Sequence, residues 1–468
     1  MLDFLESLSR ANIKYVSWKN NHELNMSLVG HSDLDILVAG ASAVEFEAFA
    51  ALHGWLQMET PVAQFDLVAH YFKVNADASV THLHVYFEVI TGESWLKEYN
   101  LPLKEFLIER RERHEETGIY RLNKISQAYI FCIRHLLKAG SISSRILYRR
   151  DFESYHYEWM LCDVDVTELS GYGPIPIDDW IHQSGLIHSF QTPTYSTAIS
   201  FRKSLRPYLR YKKESLVLRR LVSFSKRALN KIFSKSKRKF IGNGVIVALS
   251  GVDGAGKSTM VSGLSDVFGA FMDCSTLTLG KPQGKALERI RSAIKSNKGR
   301  SRSGSGNAAH HTSVMDAISA VVLAILRLHG SMVAVKAARK GGVVVADRWP
   351  TSVKGRMDGP KILPPKSGKG LVNILSTFET WVYLQIPKAD ICFYLTVDID
   401  DALKRNRSRI KEGKESDQEI ISRYRNNPDA LANCIRLVEF RNDGTYDEMF
   451  PMLAHNLWNE IIAHKRSA

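Results

Sequence analysis

The chain has 468 residues, 44% of them apolar, and a formal net charge of +14. That length predicts two or three domains of about 150 residues each, with enough apolar material for real cores. Composition excludes a simple membrane span: no run of eighteen apolar residues occurs, and residues 318–326 are half a span that reads as a buried helix. Cys132, Cys162, Cys274, Cys392 and Cys434 are scattered, odd in number and lack metal-ligand spacing. They read as reduced core residues of a cytoplasmic protein. The opening Met1-Leu2-Asp3-Phe4-Leu5-Glu6 reads as an amphipathic helix rather than a signal peptide.

Residues 1–115 read as a small α/β domain. A helix is expected at 2–11, a strand at 13–18, a helix at 43–52, and strands near 67–74 and 81–89. Between them stands Ser32-Asp33-Leu34-Asp35-Ile36-Leu37-Val38. Period-two alternation puts Asp33 and Asp35 on one face, where two carboxylates can ligate a divalent metal. The alternative is that they cap a strand and pair with Lys19 or a helix end. His82, His84, Tyr86 and Glu88 share a face of the later strand.

The Asp-x-Asp strand resembles the nucleotidyltransferase superfamily over roughly the first hundred residues. The resemblance implies a catalytic metal site with a third carboxylate on a later strand, for which the nearest equivalents are His84 or Glu88. The family's Gly-Ser pair is absent; Ser17-Trp18-Lys19-Asn20-Asn21 stands there.

Residues 116–198 turn helical, with Arg134, His135, Lys138, Arg145, Arg149 and Arg150 along the stretch. They line an anionic groove or form a solvated helix face. Residues 199–241 form a basic connector. Between Arg202 and Lys239 stand fifteen Lys/Arg and one acid, Glu214, so this segment carries the whole net charge. Leu209, Leu216, Leu218, Leu221, Val222, Phe224, Leu229, Ile232 and Phe233 recur between the cations, giving a basic amphipathic helix. It bridges two domains, lies on an anionic membrane surface, or contacts nucleic acid. The last is less favoured because stacking aromatics are sparse.

Residues 242–468 begin with the apolar strand Val245-Ile246-Val247-Ala248-Leu249 and run into Gly251-Val252-Asp253-Gly254-Ala255-Gly256-Lys257-Ser258-Thr259. Glycine, four residues, then Gly-Lys-Ser, between a strand and a helix at 258–268, is a phosphate-binding loop. Backbone N–H groups surround phosphate oxygens, Lys257 reaches the β- and γ-phosphates, and Ser258 ligates Mg²⁺. ATP and Mg²⁺ are the cofactors expected. Residues 277–282 read as a strand end and turn, 296–309 as a low-complexity segment, and 313–327 and 332–339 as two helices. A buried strand then ends in Asp347-Arg348-Trp349. A carboxylate there can accept from Mg²⁺ waters, and the guanidinium can span two phosphoryl groups. Pro387-Lys388-Ala389-Asp390 leads into a third strand at 391–397, then a helix carrying Arg405, Arg407 and Arg409. These arginines read as a lid that closes over the transferring phosphoryl group.

Together these motifs resemble the thymidylate kinase family of P-loop nucleotide kinases, over about residues 245–462. The resemblance implies that Asp253 sits near the acceptor nucleotide, that Arg348 clamps donor and acceptor phosphates, and that Arg405 and Arg409 act in the lid. Two family segments that build the thymine pocket are missing: Gly280-Lys281-Pro282-Gln283-Gly284 and residues 350–360 stand in their places. The transfer machinery is kept and the acceptor pocket rebuilt, so the acceptor is expected to be a nucleoside monophosphate or sugar phosphate. The fold expected is α/β throughout: a nucleotidyltransferase-like domain with a helical extension, then a P-loop kinase domain with a parallel sheet between helices. Alternatives are nucleotidyltransfer by the first domain with the second regulatory, and a non-catalytic ATP-binding module peripheral to the inner face of a membrane.

Overall fold

The computed structural model describes residues 1–467 except 63, 187–189, 235, 252–253, 281–311, 357, 365–369, 409–416, 418–420 and 422–432; of residues 142–143, 147–148, 233–234 and 406–408 only the backbone is described. Asp253, Arg409 and residues 296–309 therefore lie outside the described residues, as does the side chain of Arg407. The chain divides into two compact units. Unit 1 is Met1–Asn75 with Ser79–Arg238, and unit 2 is Ala76–Ala78 with Lys239–Ala468.

Unit 1 is built on β1 (Lys14–Ser17), β2 (Leu34–Ala39), β3 (Leu56–Glu59), β4 (Val68–Val74) and β5 (Val80–Tyr86). A separate ribbon pairs β6 (Val89–Thr91) with β7 (Tyr99–Leu101), while β8 (Arg111–Arg113) and β9 (Tyr120–Leu122) extend the main sheet. Its strand order is β3-β4-β5-β2-β1-β9-β8. The β2–β5 and β1–β9 pairs are parallel, the others antiparallel. Pleating sends alternate residues of β2 to opposite faces. Leu34, Ile36 and Val38 pack with Phe4, Leu8, Phe46 and Trp55 under the helices Leu2–Arg10 and Ala43–Leu52. Ser42 and Glu45 close a reciprocal capping box on the second of these helices.

Leu37 and Ala39 point the other way, into a core shared with Leu101, Leu107 and the helix Lys124–Ala139. The helical segment expected at 116–198 thus covers the second face of the same sheet. Its central helix is buried on nearly every side, His135 included. The basic connector contributes the helix Lys213–Leu229, which also belongs to unit 1. Arg220 pairs with Glu93 at 2.9 Å, and Ser223 donates to the Trp95 carbonyl at 3.2 Å. Leu218, Leu221 and Phe224 stay exposed.

Unit 2 opens with β10 (Lys239–Phe240) and continues through β11 (Val245–Gly251), β12 (Cys274–Thr278), β13 (Val343–Asp347), β14 (Ala389–Thr396) and β15 (Cys434–Arg441). The last five form an all-parallel sheet in the order β12-β13-β11-β14-β15. The three central strands β11, β13 and β14 are apolar on both faces, as expected where helices cover both. Ile246, Ala248, Val344 and Ala346 meet Ala334 and Ala338 of the helix Val314–Ala338. Phe268 and Phe271, from the helix Lys257–Phe271, meet Trp458 of the helix Tyr446–Ser467.

Two expectations need correction. The helices expected at 313–327 and 332–339 are one continuous helix, because His329-Gly330-Ser331 is accommodated inside it, with Ser331 donating back to the Leu328 carbonyl at 2.8 Å. That helix is not buried all round either. A stripe through Ala317, Val321, Ala324, Arg327, Ser331 and Ala334 is covered, while Ile318 and Ile325 are exposed. Among the described residues it is one helix long and apolar enough to cross a membrane, yet Arg327 is 1% exposed within unit 2.

His135 gives a pH test of unit 1. Burial pushes its imidazole down to about 4, against the pull of the Ser184 and Gln191 carbonyls that accept from Nε2. Between that value and about 6.5 the unfolded chain takes up a proton that the folded chain refuses, so stability falls as pH falls. The stability advantage of wild type over His135→Gln, measured by urea unfolding, is expected to shrink by about 1.4 kcal/mol per pH unit over this window. A pH-independent difference would contradict a neutral buried imidazole.

Candidate functional sites

In unit 2 the phosphate loop follows from the parallel pairing of its strands. β11 is flanked by β13 and β14, and its last residue, Gly251, pairs with Leu395. Gly251 has φ +139°, and a Cβ there would lie 2.2 Å from the Leu395 carbonyl oxygen, so only glycine fits. Gly256 (φ +81°) turns the chain into the helix Lys257–Phe271, and a Cβ on it would come 2.8 Å from Asn442 Nδ2. That amide donates to the Ala255 carbonyl at 2.8 Å and is buried, fixing the loop from the end of β15. Gly254 and Ala255 are buried, Lys257 is buried at the helix start, and Ser258 and Thr259 are exposed.

The register Leu249↔Asp347 ends β13 two residues short of the end of β11, with Asp347 facing the start of the helix Lys257–Phe271. Ser258 Oγ consequently donates to Asp347 Oδ2 at 2.8 Å. Asp347 Oδ1 is buried with no hydrogen-bond partner among the described residues. A hydroxyl and a carboxylate with a spare acceptor, beside a helix N-terminus, fit a hydrated Mg²⁺.

Arg348 follows in the left-handed region at φ +71°. Its guanidinium reaches Asp358 Oδ2 at 3.4 Å, while Asp358 Oδ1 accepts from the buried Arg327 at 3.1 Å. Arg327 also donates to the Leu279 and Gly280 carbonyls and to the Tyr383 hydroxyl. Holding Arg348 is therefore a task of the segment 350–360. Arg405, on the helix Ile399–Ser408, donates to the Asn442 and Gly444 carbonyls at 2.9 and 3.0 Å, and so adjoins the phosphate loop. Sequence reading missed Asp358, Asn442 and Arg327, which act through contacts distant in the chain and belong to no motif.

In unit 1, Asp33, Asp35 and His84 offer ligand atoms within 4.8 Å of one another. The β2–β5 register sets Asp35 opposite His84, and His84 Nδ1 lies 2.8 Å from Asp35 Oδ1 and 3.5 Å from Asp33 Oδ2. Glu88, the other candidate third ligand, lies past the end of β5 and pairs with Lys104 at 3.4 Å. Lys19 Nζ sits 2.8 Å from Asp35 Oδ1, and Asn20 donates to Oδ2 at 2.9 Å. Burial would push the Asp35 carboxyl up, but Lys19 and His84 outweigh it and hold the group well below the usual carboxylate range. The cluster offers three ligand atoms, and its central carboxylate already holds an ammonium.

No family model matches the chain, and no curated protein matches it. Among solved structures, the chain is similar to a thymidylate kinase from Candida albicans at 16% identity, over 49% of this chain and 95% of that one, with a TM-score of 0.29.

Lys19→Met is expected to weaken metal-free unit 1 and to raise its affinity for Mn²⁺ several-fold, since the cation then takes the ammonium's place on Asp35. Mn²⁺ titration by electron paramagnetic resonance, with Lys257→Ala also present to spoil the phosphate loop, reads this directly. Equal affinity with and without Lys19 would show that ammonium and metal do not compete.

Proposed function

We propose that unit 2 is an ATP- and Mg²⁺-dependent phosphotransferase acting on a phosphorylated small molecule, a nucleoside monophosphate or sugar phosphate. The observation that carries this reading is the Ser258–Asp347 pair at 2.8 Å beside the loop, with Asp347 keeping a buried, unpartnered oxygen. A loop that only bound phosphate would need the glycines and the helix end. A carboxylate with free acceptor capacity beside the hydroxyl suits a cation that must be hydrated and oriented during transfer.

Each residue then has a task that follows from its place. N–H groups of the loop surround the β-phosphate, and Lys257 neutralises charge between the β- and γ-phosphates. Ser258 and Asp347 would hold Mg²⁺, which when bound would supply positive charge against that developing on the phosphoryl oxygens. Arg348, steadied by Asp358, spans donor and acceptor phosphates with its planar fork. Arg405 adds positive charge at the loop's far side, and Arg409 is assigned the same role on the sequence resemblance alone. The protein positions and neutralises; the acceptor's own phosphate oxygen is the nucleophile.

Asp347→Asn keeps size and the Ser258 contact but removes charge. It is expected to lower kcat by about 10²–10³ with a smaller change in ATP affinity, as for loss of one electrostatic group in a transfer site. Steady-state ADP release at several Mg²⁺ concentrations checks this. Full turnover in Asp347→Asn would remove the carboxylate from the mechanism.

A further inference from the structure

The helix Lys213–Leu229 of unit 1 has no buried side chain, although it is rich in leucine and valine. Its half-buried residues include Leu216, Arg220, Ser223 and Arg227, which recur at steps of four, three and four and so share one side. That side meets the rest of unit 1. Arg220 pairs with Glu93 at 2.9 Å, Ser223 donates to the Trp95 carbonyl at 3.2 Å, and the Arg227 guanidinium lies 5.0 Å from the Trp95 ring centroid.

The opposite side is apolar. Val217, Leu218, Leu221, Val222 and Leu229 fill a sector about 140° wide and about 18 Å long. Ile232 continues it in the turn that follows. These six side chains are between 44% and 66% exposed, so the packing of the helix leaves the whole sector open. A contiguous apolar surface of this kind marks a place of contact.

Cations border the sector on both sides: Arg219 and Lys226 along one edge, Lys213 and Lys231 along the other. All four are exposed. Among the described residues the ion pairs of the helix are those of Arg220 with Glu93 and Glu98, on the packed side. The one acid of the helix is Glu214, in its first turn. A second copy laid on this face would set like charges along both edges. Nucleic acid would satisfy the cations and leave the leucines wet. An anionic lipid surface satisfies both, because its acyl boundary takes the apolar sector and its phosphates take the bordering cations, whose long stems reach outward from that sector.

We propose that the exposed side of this helix lies on an anionic phospholipid bilayer, with Leu218, Leu221 and Leu229 at the headgroup–acyl boundary and Lys213, Arg219, Lys226 and Lys231 against lipid phosphates. Glu93 and Trp95 hold the helix from behind, so the folded unit binds as it stands. The connector's excess charge then serves contact with a surface. This role belongs to unit 1 and does not depend on the phosphotransferase reading of unit 2.

The test is flotation of the full chain with vesicles of phosphatidylcholine alone and with vesicles containing about one-third phosphatidylglycerol. Binding is expected on the anionic vesicles, about tenfold or more weaker on the neutral ones, and reduced by added salt. Leu221→Asp with Leu229→Asp should lower binding to anionic vesicles about tenfold or more, and Arg219→Gln with Lys226→Gln about tenfold. Circular dichroism establishes that each variant is folded; Leu221→Ser with Leu229→Ser replaces the aspartate pair if that pair is not. No flotation of wild type with anionic vesicles would overturn the proposal. So would equal flotation of the folded Leu221→Asp, Leu229→Asp chain, which would place the lipid contact elsewhere. A lipid-free dimer in sedimentation velocity that this pair of substitutions dissolves, without vesicle binding, would assign the face to a second copy and overturn it as well.

Discussion

The parallel register between β11 and β13 is the constraint on which the unit 2 site rests. Because Leu249 lies opposite Asp347, β13 stops two residues before β11, which runs on beside β14 to Gly251, and the chain leaving each strand turns there. One turn becomes the glycine loop and the helix beginning at Lys257; the other becomes Asp347-Arg348-Trp349. That register leaves Asp347 beside the first turn of the helix, where the exposed Ser258 donates to one carboxylate oxygen while the other is buried. A one-residue slip would invert the pleat of β13 and turn Asp347 away from the loop.

Around this point, three side chains far apart in sequence hold the loop and Arg348 in place. Asn442 fixes the loop's backbone through the Ala255 carbonyl, Asp358 fixes Arg348, and Arg327 fixes Asp358 from inside the helix Val314–Ala338. Arg327 is buried and fully engaged with carbonyls, a hydroxyl and a carboxylate, which is the condition for tolerating a charge inside a core. Unit 1 uses the same device. Lys19, Asn20 and His84 surround Asp35, and Glu158 joins Arg134 to the Asn20 backbone at 3.2 Å.

Sequence patterning revealed the parts of this molecule that obey local rules. Apolar runs with flanking glycines located β11, β13 and β14 to within two residues at most termini, because a buried parallel strand cannot be anything but apolar. Period-two alternation placed Asp33 and Asp35 on one face. What stayed hidden depends on tertiary contact. The helices read at 313–327 and 332–339 are one, which continues through Gly330 under packing although glycine disfavours a helix interior. Nothing in the spacing of residues 350–360 could show that Asp358 meets two arginines, one of them thirty-one positions upstream. The connector's charge suggested a surface role, and only its packing on Glu93 and Trp95 shows which side of its helix is left exposed.

The central claim is that unit 2 transfers a phosphoryl group to a phosphorylated acceptor. The most direct measurement is ADP release from ATP and Mg²⁺ against a panel of nucleoside monophosphates and sugar phosphates, with wild type beside Lys257→Ala. The account predicts release that depends on one class of acceptor and disappears in the variant. ATP binding without acceptor-dependent release across the panel, or release that survives Lys257→Ala, would contradict it.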